Sequence, residues 1–193
     1  MRKLMMFDNV SADGFYAGTD GGLDWVTQDP EQHAAAAAAL PDTDTVLFGR
    51  KTYAQFASFW PHALDGGAPH GGSDAPAMRA IAKFLNDATK LVFSTTLTEA
   101  PWRGTRILPA IDARELAALK AGPGKSMILF GSGSIVAQLS ELGLIDEYQI
   151  VVNPILLGRG QGWAPGLASR VKLQLVESRA YGSGNVMLRY KRA

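Results

Sequence analysis

The sequence predicts a three-layer α/β fold built on a mostly parallel sheet that ends in an antiparallel C-terminal hairpin. Three observations carry this reading. Short apolar, β-rich runs alternate with segments of helical period, the order that builds parallel strands joined by crossover helices. In the segment Ser134–Leu142 the residues Ile135, Val136, Leu139 and Leu142 form one stripe, the spacing that packs a helix against a sheet. Near the C-terminus, Tyr181-Gly182-Ser183-Gly184-Asn185 joins two strand-like runs, as a hairpin turn does.

In chain order, the apolar runs Lys3–Val10, Thr45–Gly49, Lys90–Ser94, Thr105–Leu108, Ser126–Phe130, Glu147–Asn153, Lys172–Ser178 and Val186–Arg192 are read as strands. Between them, helices are expected at Pro30–Leu40, Thr52–Phe59, Ala75–Asn86, Asp112–Ala121 and Ser134–Leu142. The first starts at Asp29-Pro30-Glu31, a cap followed by proline in the first turn, and continues through Ala34–Ala39, so a short, closely packed helix is expected. The stretch Leu64–Asp74 holds Gly66-Gly67, Pro69 and Gly71-Gly72 and is read as an exposed loop. The same alternation continues on both sides of it, so residues 1–193 are expected to form a single domain.

Composition removes several classes of function. Nineteen Lys and Arg against 18 Asp and Glu are scattered along the chain, which argues against a nucleic-acid partner. The longest apolar run, Ala34–Leu40, is too short to span a bilayer, and the residues after Met1-Arg2-Lys3 do not form an export signal, so no membrane partner is expected. The chain has no cysteine, which excludes disulfides, thiolate nucleophiles and Cys-ligated metals and agrees with a cytoplasmic location. His33, His62 and His70 lack metal-ligand spacing, so no metal site is expected.

Several motifs bear on chemistry. Gly122-Pro123-Gly124-Lys125-Ser126 superficially resembles a phosphate loop, but it ends a helix and leads into a strand, so it is read as a turn. Phe130-Gly131-Ser132-Gly133-Ser134-Ile135-Val136 instead leaves a strand and enters a helix. Small residues there admit a phosphate to free N–H groups and the positive end of the helix dipole; a plain tight turn explains the same residues. It departs from a Rossmann fingerprint at Val136 and lacks the acid expected near Val151-Val152-Asn153. Gly49-Arg50-Lys51-Thr52 also joins a strand to a helix and adds two cations, as a second phosphate contact or as a capped helix with solvated charges. Asp13, Asp24, Asp29 and Glu31 form an early acidic cluster, read either as solvated caps and turns or, at Asp24 beside Trp25, as a partly desolvated acid.

Taken in order, these motifs resemble the dihydrofolate reductase superfamily, and within it the reductase domain of bacterial riboflavin biosynthesis. The carriers are Ser11-Ala12-Asp13-Gly14-Phe15, Asp24-Trp25, Val46 to Tyr53, Leu91 to Thr95, Gly131-Ser132-Gly133, Gly143 to Glu147 and Asn153 to Gly160. The resemblance implies NADPH lying across the ends of the parallel strands. It places Gly49, Arg50, Lys51 and Thr52 at the 2′-phosphate and pyrophosphate, Ser94 and Thr95 at the adenosine side, and Gly131, Ser132, Gly133, Ser134 and Ile135 around the pyrophosphate. The loop Ser11–Gly18 would cover the nicotinamide. A homodimer is also implied, with Glu147–Asn153 and the C-terminal strands as its surface. The first helix reads His33-Ala34-Ala35-Ala36 and offers no acid in register with a pocket, which disfavours folate itself as the substrate.

The expected function is therefore an NADPH-dependent reductase acting on a small planar heterocycle or a conjugated imine or carbonyl. Asp24 is expected to orient or protonate the substrate, with Trp25, Phe130 and Asn153 lining its pocket. The alternative is a non-catalytic module that binds a dinucleotide or a pterin-like ligand, because a fold alone does not fix chemistry.

Overall fold

The computed structural model describes residues 1–64 and 75–193. The loop expected over Leu64–Asp74, with His70, lies outside the described residues from position 65 on. The elements run β1 (Leu4–Ser11), β2 (Phe15–Ala17), α1 (Pro30–Ala39), β3 (Thr43–Gly49), α2 (Arg50–Phe59), α3 (Pro76–Asp87), β4 (Thr89–Phe93) and β5 (Thr105–Leu108). They continue with α4 (Ala113–Ala121), β6 (Ser126–Phe130), α5 (Gly133–Glu141), β7 (Glu147–Asn153), β8 (Gln161–Gly162), β9 (Leu173–Ala180) and β10 (Val186–Arg192).

Eight strands form one sheet in the order β5-β4-β3-β6-β1-β7-β10-β9. The first six are parallel, while β10 runs antiparallel to both β7 and β9. Alternation along each strand divides the core between the two faces. Leu4 and Met6 of β1, Leu47 of β3 and Leu129 of β6 pack with Leu116 of α4 and Ile135, Val136 and Leu139 of α5. Val46 and Phe48 of β3 and Ile128 of β6 pack on the other side with Tyr53 of α2 and Leu85 of α3.

This division positions the site. Adjacent strands β3 and β6 send their following helices, α2 and α5, to opposite faces of the sheet. Between their carboxyl ends the chain leaves a crevice, the place where open parallel sheets bind ligands.

The observed ends differ from the expected ones for local reasons. Helix α2 starts at Arg50 rather than Thr52, because Gly49 already adopts the extended cap conformation. Arg50 and Lys51 therefore belong to the first turn of the helix. Asp29 caps α1 through Gln32 N–H as expected, yet Gln32 is the one buried residue of that helix. The alanine run packs closely as expected, against α3 rather than directly on the sheet. Strands β2 and β8, of three and two residues, were too short to show a period and pair only with each other.

Lys90 is fully buried at the start of β4, where its ammonium donates to the carbonyls of Asn86, Ala88 and Arg103 and lies 4.6 Å from the centre of the Trp102 ring. It ties the end of α3 to the sheet. The strand Glu147–Asn153 is paired on both edges, by β1 and β10, so its backbone edge is not available to a second chain. The edges of the sheet are β5 and β9, and on β9 Leu175 is 51% and Val176 50% exposed. Among the described residues no helix is long and apolar enough to cross a membrane.

Leu129 is fully buried at the centre of the sheet. Replacing it with alanine is expected to lower unfolding free energy by about 2–5 kcal/mol, whereas Leu156→Ala, at a 75% exposed position, should change it by roughly 0.5 kcal/mol or less. Denaturant midpoints of the two variants check the difference.

Candidate active site

The crevice is held open by a short turn and a serine. Gly131 and Ser132 both adopt left-handed backbone conformations, with φ of 55° and 60°, and this pair swings the chain from β6 into α5. The Ser132 hydroxyl accepts a hydrogen bond from Gly49 N–H at 3.0 Å and shares another with the Thr52 hydroxyl at 2.9 Å. A Cβ on Gly49 would collide with the Ser132 hydroxyl and lie 2.7 Å from its Cβ, so only glycine permits this approach. The N-termini of α2 and α5 are thereby drawn together, and two helix dipoles converge on one crevice.

Two adjoining cavities open there. The outer one, about 930 Å³, is lined by Gly49, Arg50, Lys51, Ser94, Thr95, Ser132, Ser134 and Ile135, among others. The structure thus brings together eight of the residues expected at a dinucleotide. The Ser94 hydroxyl oxygen accepts from Thr96 and Leu97 N–H, and Ser94 N–H donates to the Leu108 carbonyl, so these bonds fix the loop at the rim of the cavity. Pro109, Ala110 and Ile111 after β5, Gln138 of α5, and Gly160, Gln161, Gly162 and Pro165 complete the lining. Sequence reasoning missed these, because they meet the cavity only through the topology of the sheet.

Gly133 stands apart from its neighbours. A Cβ there would lie 2.6 Å from both the Gly162 carbonyl oxygen and Pro165 Cδ. Its small size serves the packing of segment 162–165 against α5 rather than approach to a ligand, and it lines neither cavity.

The inner cavity, about 380 Å³, is lined by Phe7, Asp8, Asn9, Thr52, Phe56, Phe130 and Gly131, and by Asp20, Gly21, Leu23 and Val26. Tyr16, Arg50, Lys51 and Gln161 line both cavities and mark the seam between them. The Tyr16 hydroxyl donates to Gln161 Oε1 at 3.0 Å and accepts from Gly133 N–H, while burial raises its pKa. Of the Ser11–Gly18 segment, Tyr16 and Ala17 line the inner cavity. Asp13 pins it there by accepting from the Ser11 hydroxyl at 2.6 Å and from Leu157 and Gly158 N–H at 3.1 and 2.7 Å. These bonds, that from Ser11 foremost, lower the pKa of Asp13.

Three expected substrate-side residues are placed elsewhere. Asp24 is exposed in a turn and lines neither cavity, so the desolvation expected beside Trp25 does not occur. Trp25 turns its indole N–H onto the Gly22 carbonyl at 3.2 Å and is likewise outside the lining. Asn153 is fully buried one layer behind the cavity: its Oδ1 accepts from Thr27 N–H at 2.9 Å and its Nδ2 donates to Asn9 Oδ1 at 3.3 Å. Of the residues expected to line the substrate pocket, only Phe130 does so.

The acid of the inner cavity is Asp8. It is 6% exposed, and its Oδ2 has no hydrogen-bond partner among the described residues. Burial pushes its pKa well above the ordinary carboxyl value, opposed only by the backbone N–H of Gly131. The available sequence signal was a single aspartate in the middle of an apolar strand. Among the described residues no group of three or more His, Asp or Glu side chains is placed to hold a metal ion.

The sheet order, the crevice at the β3–β6 reversal and the antiparallel C-terminal strands define a dihydrofolate-reductase-like α/β domain of reductase type. The family model of the RibD C-terminal domain matches residues 2–187, and the chain belongs to that family. Protein YyaP of Bacillus subtilis (strain 168) is 29% identical over 189 residues, covering 98% of this chain and 94% of YyaP. The crystal structure of a putative riboflavin biosynthesis protein from Shewanella sp. PV-4 superposes with a TM-score of 0.74 at 23% identity, covering 100% of this chain and 99% of the other. Dihydrofolate reductase from Enterococcus faecalis, complexed with NADP(H) and RAB-propyl, superposes with a TM-score of 0.62 at 13% identity, over 98% and 96% of the two chains. At such identities these two structures share the fold.

The raised pKa of Asp8 links stability to pH. The folded chain holds a proton that the unfolded chain releases above its ordinary carboxyl range, near pH ~4. The contribution of Asp8 to stability is therefore fully present below that range and is lost as pH rises through the folded-state pKa. Asp8→Asn removes this dependence, and melting temperatures of both proteins across pH check it.

Proposed function

We propose that the chain is a one-domain NADPH-dependent reductase of a small planar heterocycle or conjugated imine or carbonyl. The observation that carries this is the pair of cavities meeting at the sheet's reversal, one large enough for an extended dinucleotide and one for a single small ring system. The residues present fit a dinucleotide. The glycine at position 49 leaves room for the Ser132 bridge, the first turns of α2 and α5 converge, and Arg50 and Lys51 add positive charge at the seam.

In this reading Arg50 and Lys51 hold the 2′-phosphate and pyrophosphate, the turn at Ser132, Ser134 and Ile135 cradles the pyrophosphate, and Ser94 and Thr95 meet the adenosine side. When bound, the dinucleotide supplies the hydride. The chain's own residues orient the ring between Phe7, Phe56 and Phe130, and the Tyr16-bearing flap excludes water from the seam. A homodimer forms through the β9 edge, whose half-exposed Leu175 and Val176 a second copy would cover.

NADPH is expected to bind at least tenfold more tightly than NADH, because charge-assisted hydrogen bonds to a phosphate contribute roughly 1.5–3 kcal/mol. Arg50→Ala should narrow that gap. Quenching of tryptophan fluorescence measures both affinities, and equal affinities in the unmutated protein would overturn the assignment. Light scattering should return the dimer mass at micromolar concentration; a monomer mass there removes the β9 interface.

A further inference from the structure

We propose that the hydroxyls of Thr52 and Ser132 form a hydrogen-bond relay between the two cavities, so that an anion in the outer cavity makes the inner cavity prefer a ring that donates a hydrogen bond over one that only accepts. This rests on the reading of the outer cavity as an anion compartment and of the inner one as a ring compartment.

The pair stands where the two cavities adjoin. Thr52 lines the inner cavity and Ser132 the outer one. Their hydroxyl oxygens are 2.9 Å apart, and either can be the donor. Ser132 Oγ also accepts from Gly49 N–H at 3.0 Å. Each residue is 9% exposed, so what surface it keeps is its part of a cavity wall. On the inner side, a Cβ built on Gly131 would lie 3.2 Å from Thr52 Oγ1, so this hydroxyl borders the space that the glycine leaves open.

The pair holds one proton more than its own bond uses. Each hydroxyl carries one proton and can both donate and accept. The shared bond takes one of the two protons, and Gly49 N–H fills an acceptor position without taking either. Among the described residues neither hydroxyl has a further partner, so the second proton is left over. If Thr52 donates, the spare proton sits on Ser132 and Thr52 Oγ1 keeps a lone pair for the inner cavity. If Ser132 donates, the spare proton sits on Thr52 and is offered to the inner cavity. Rotation of the two hydroxyls interconverts these states, and no heavy atom moves.

An anion decides between them. Arg50 and Lys51 line the same cavity as Ser132, and Ser132 is the cap residue of α5, so an oxyanion is favoured there. A hydroxyl bonds an anion more strongly than a neutral acceptor, so an oxyanion at Ser132 claims its proton. Thr52 must then donate to Ser132, and its oxygen meets the inner cavity as an acceptor. A ring with an N–H gains a partner, whereas a ring with only an acceptor loses one. By linkage each ring changes the affinity for the anion by the same factor.

The test titrates the full chain by calorimetry at neutral pH with pyrophosphate and with two uncharged fused rings, indole, which donates through its N–H, and quinoline, which only accepts. Saturating pyrophosphate should raise the indole affinity about fivefold and lower the quinoline affinity by a similar factor. Thr52→Val should abolish both effects, and Thr52→Ser should keep them. A merely structural role for position 52 would not give opposite signs for two rings of similar shape. The proposal is overturned if pyrophosphate moves both rings in one direction or moves neither, or if Thr52→Val keeps the opposite effects. If Thr52→Val does not fold, the two signs in the unmutated protein decide. If only one ring binds, its sign and its loss in Thr52→Val decide. If pyrophosphate or both rings fail to bind, the relay falls together with the reading of the cavities. The expected signs with a pyrophosphate that NADPH does not displace would overturn the dinucleotide reading and leave the relay standing.

Discussion

The structure depends on the contact between Gly49 and Ser132. Strands β3 and β6 are neighbours that send their helices to opposite faces, so the sheet must part at their ends. The Ser132 hydroxyl bridges that parting by bonding Gly49 N–H and the Thr52 hydroxyl. Its left-handed backbone is costly for a residue with a side chain, and these buried bonds offset the cost. The bridge fixes the spacing of two helix N-termini and the height of the turn between them. The outer cavity takes its shape from that spacing, and the backbone N–H of Gly131, in the same turn, bonds the Asp8 carboxyl.

The flap adds a second layer of control. Asp13 accepts from one hydroxyl and two backbone N–H groups, and this ties the segment after β1 to residues 157–158. Gly160 makes the closeness possible, since a Cβ there would collide with the Ala17 carbonyl and lie 3.0 Å from Phe15 Cβ. Tyr16 is thus held where the two cavities join. Behind the inner cavity, Asn153 and Asn185 hold the 27–32 segment through Thr27 and Gln32. Their role is positional: they set the wall that the preceding residues present to the ring.

The electrostatics of the site follow from depth. Arg50 and Lys51 sit in water at the seam and can meet a phosphate, while Asp8 lies where water does not reach it. One crevice therefore offers positive charge at its mouth and a buried carboxyl at its floor.

The sequence by itself determined the strands and helices that carry a strong period. Thr105–Leu108, Ser126–Phe130, Glu147–Asn153 and Val186–Arg192 fall where local pattern put them, and the order of motifs determined the fold class. It also named eight residues of the outer cavity, because a strand running into a helix through small or charged residues is a local feature, legible at Gly49–Lys51 and at Ser132, Ser134 and Ile135. The inner cavity was not legible. Asp24 beside Trp25 looked like a shielded acid, but shielding depends on what the rest of the chain stacks above a residue, and nothing covers that turn. Asp8 looked like an interruption in a strand until β6, the turn into α5 and the flap closed around it. Gly133 read as a ligand contact until Gly162 and Pro165 were found against it. Burial is a property of many distant residues at once, so only the tertiary structure decided which acid is dry, which glycine is packing and which asparagine stands behind the wall.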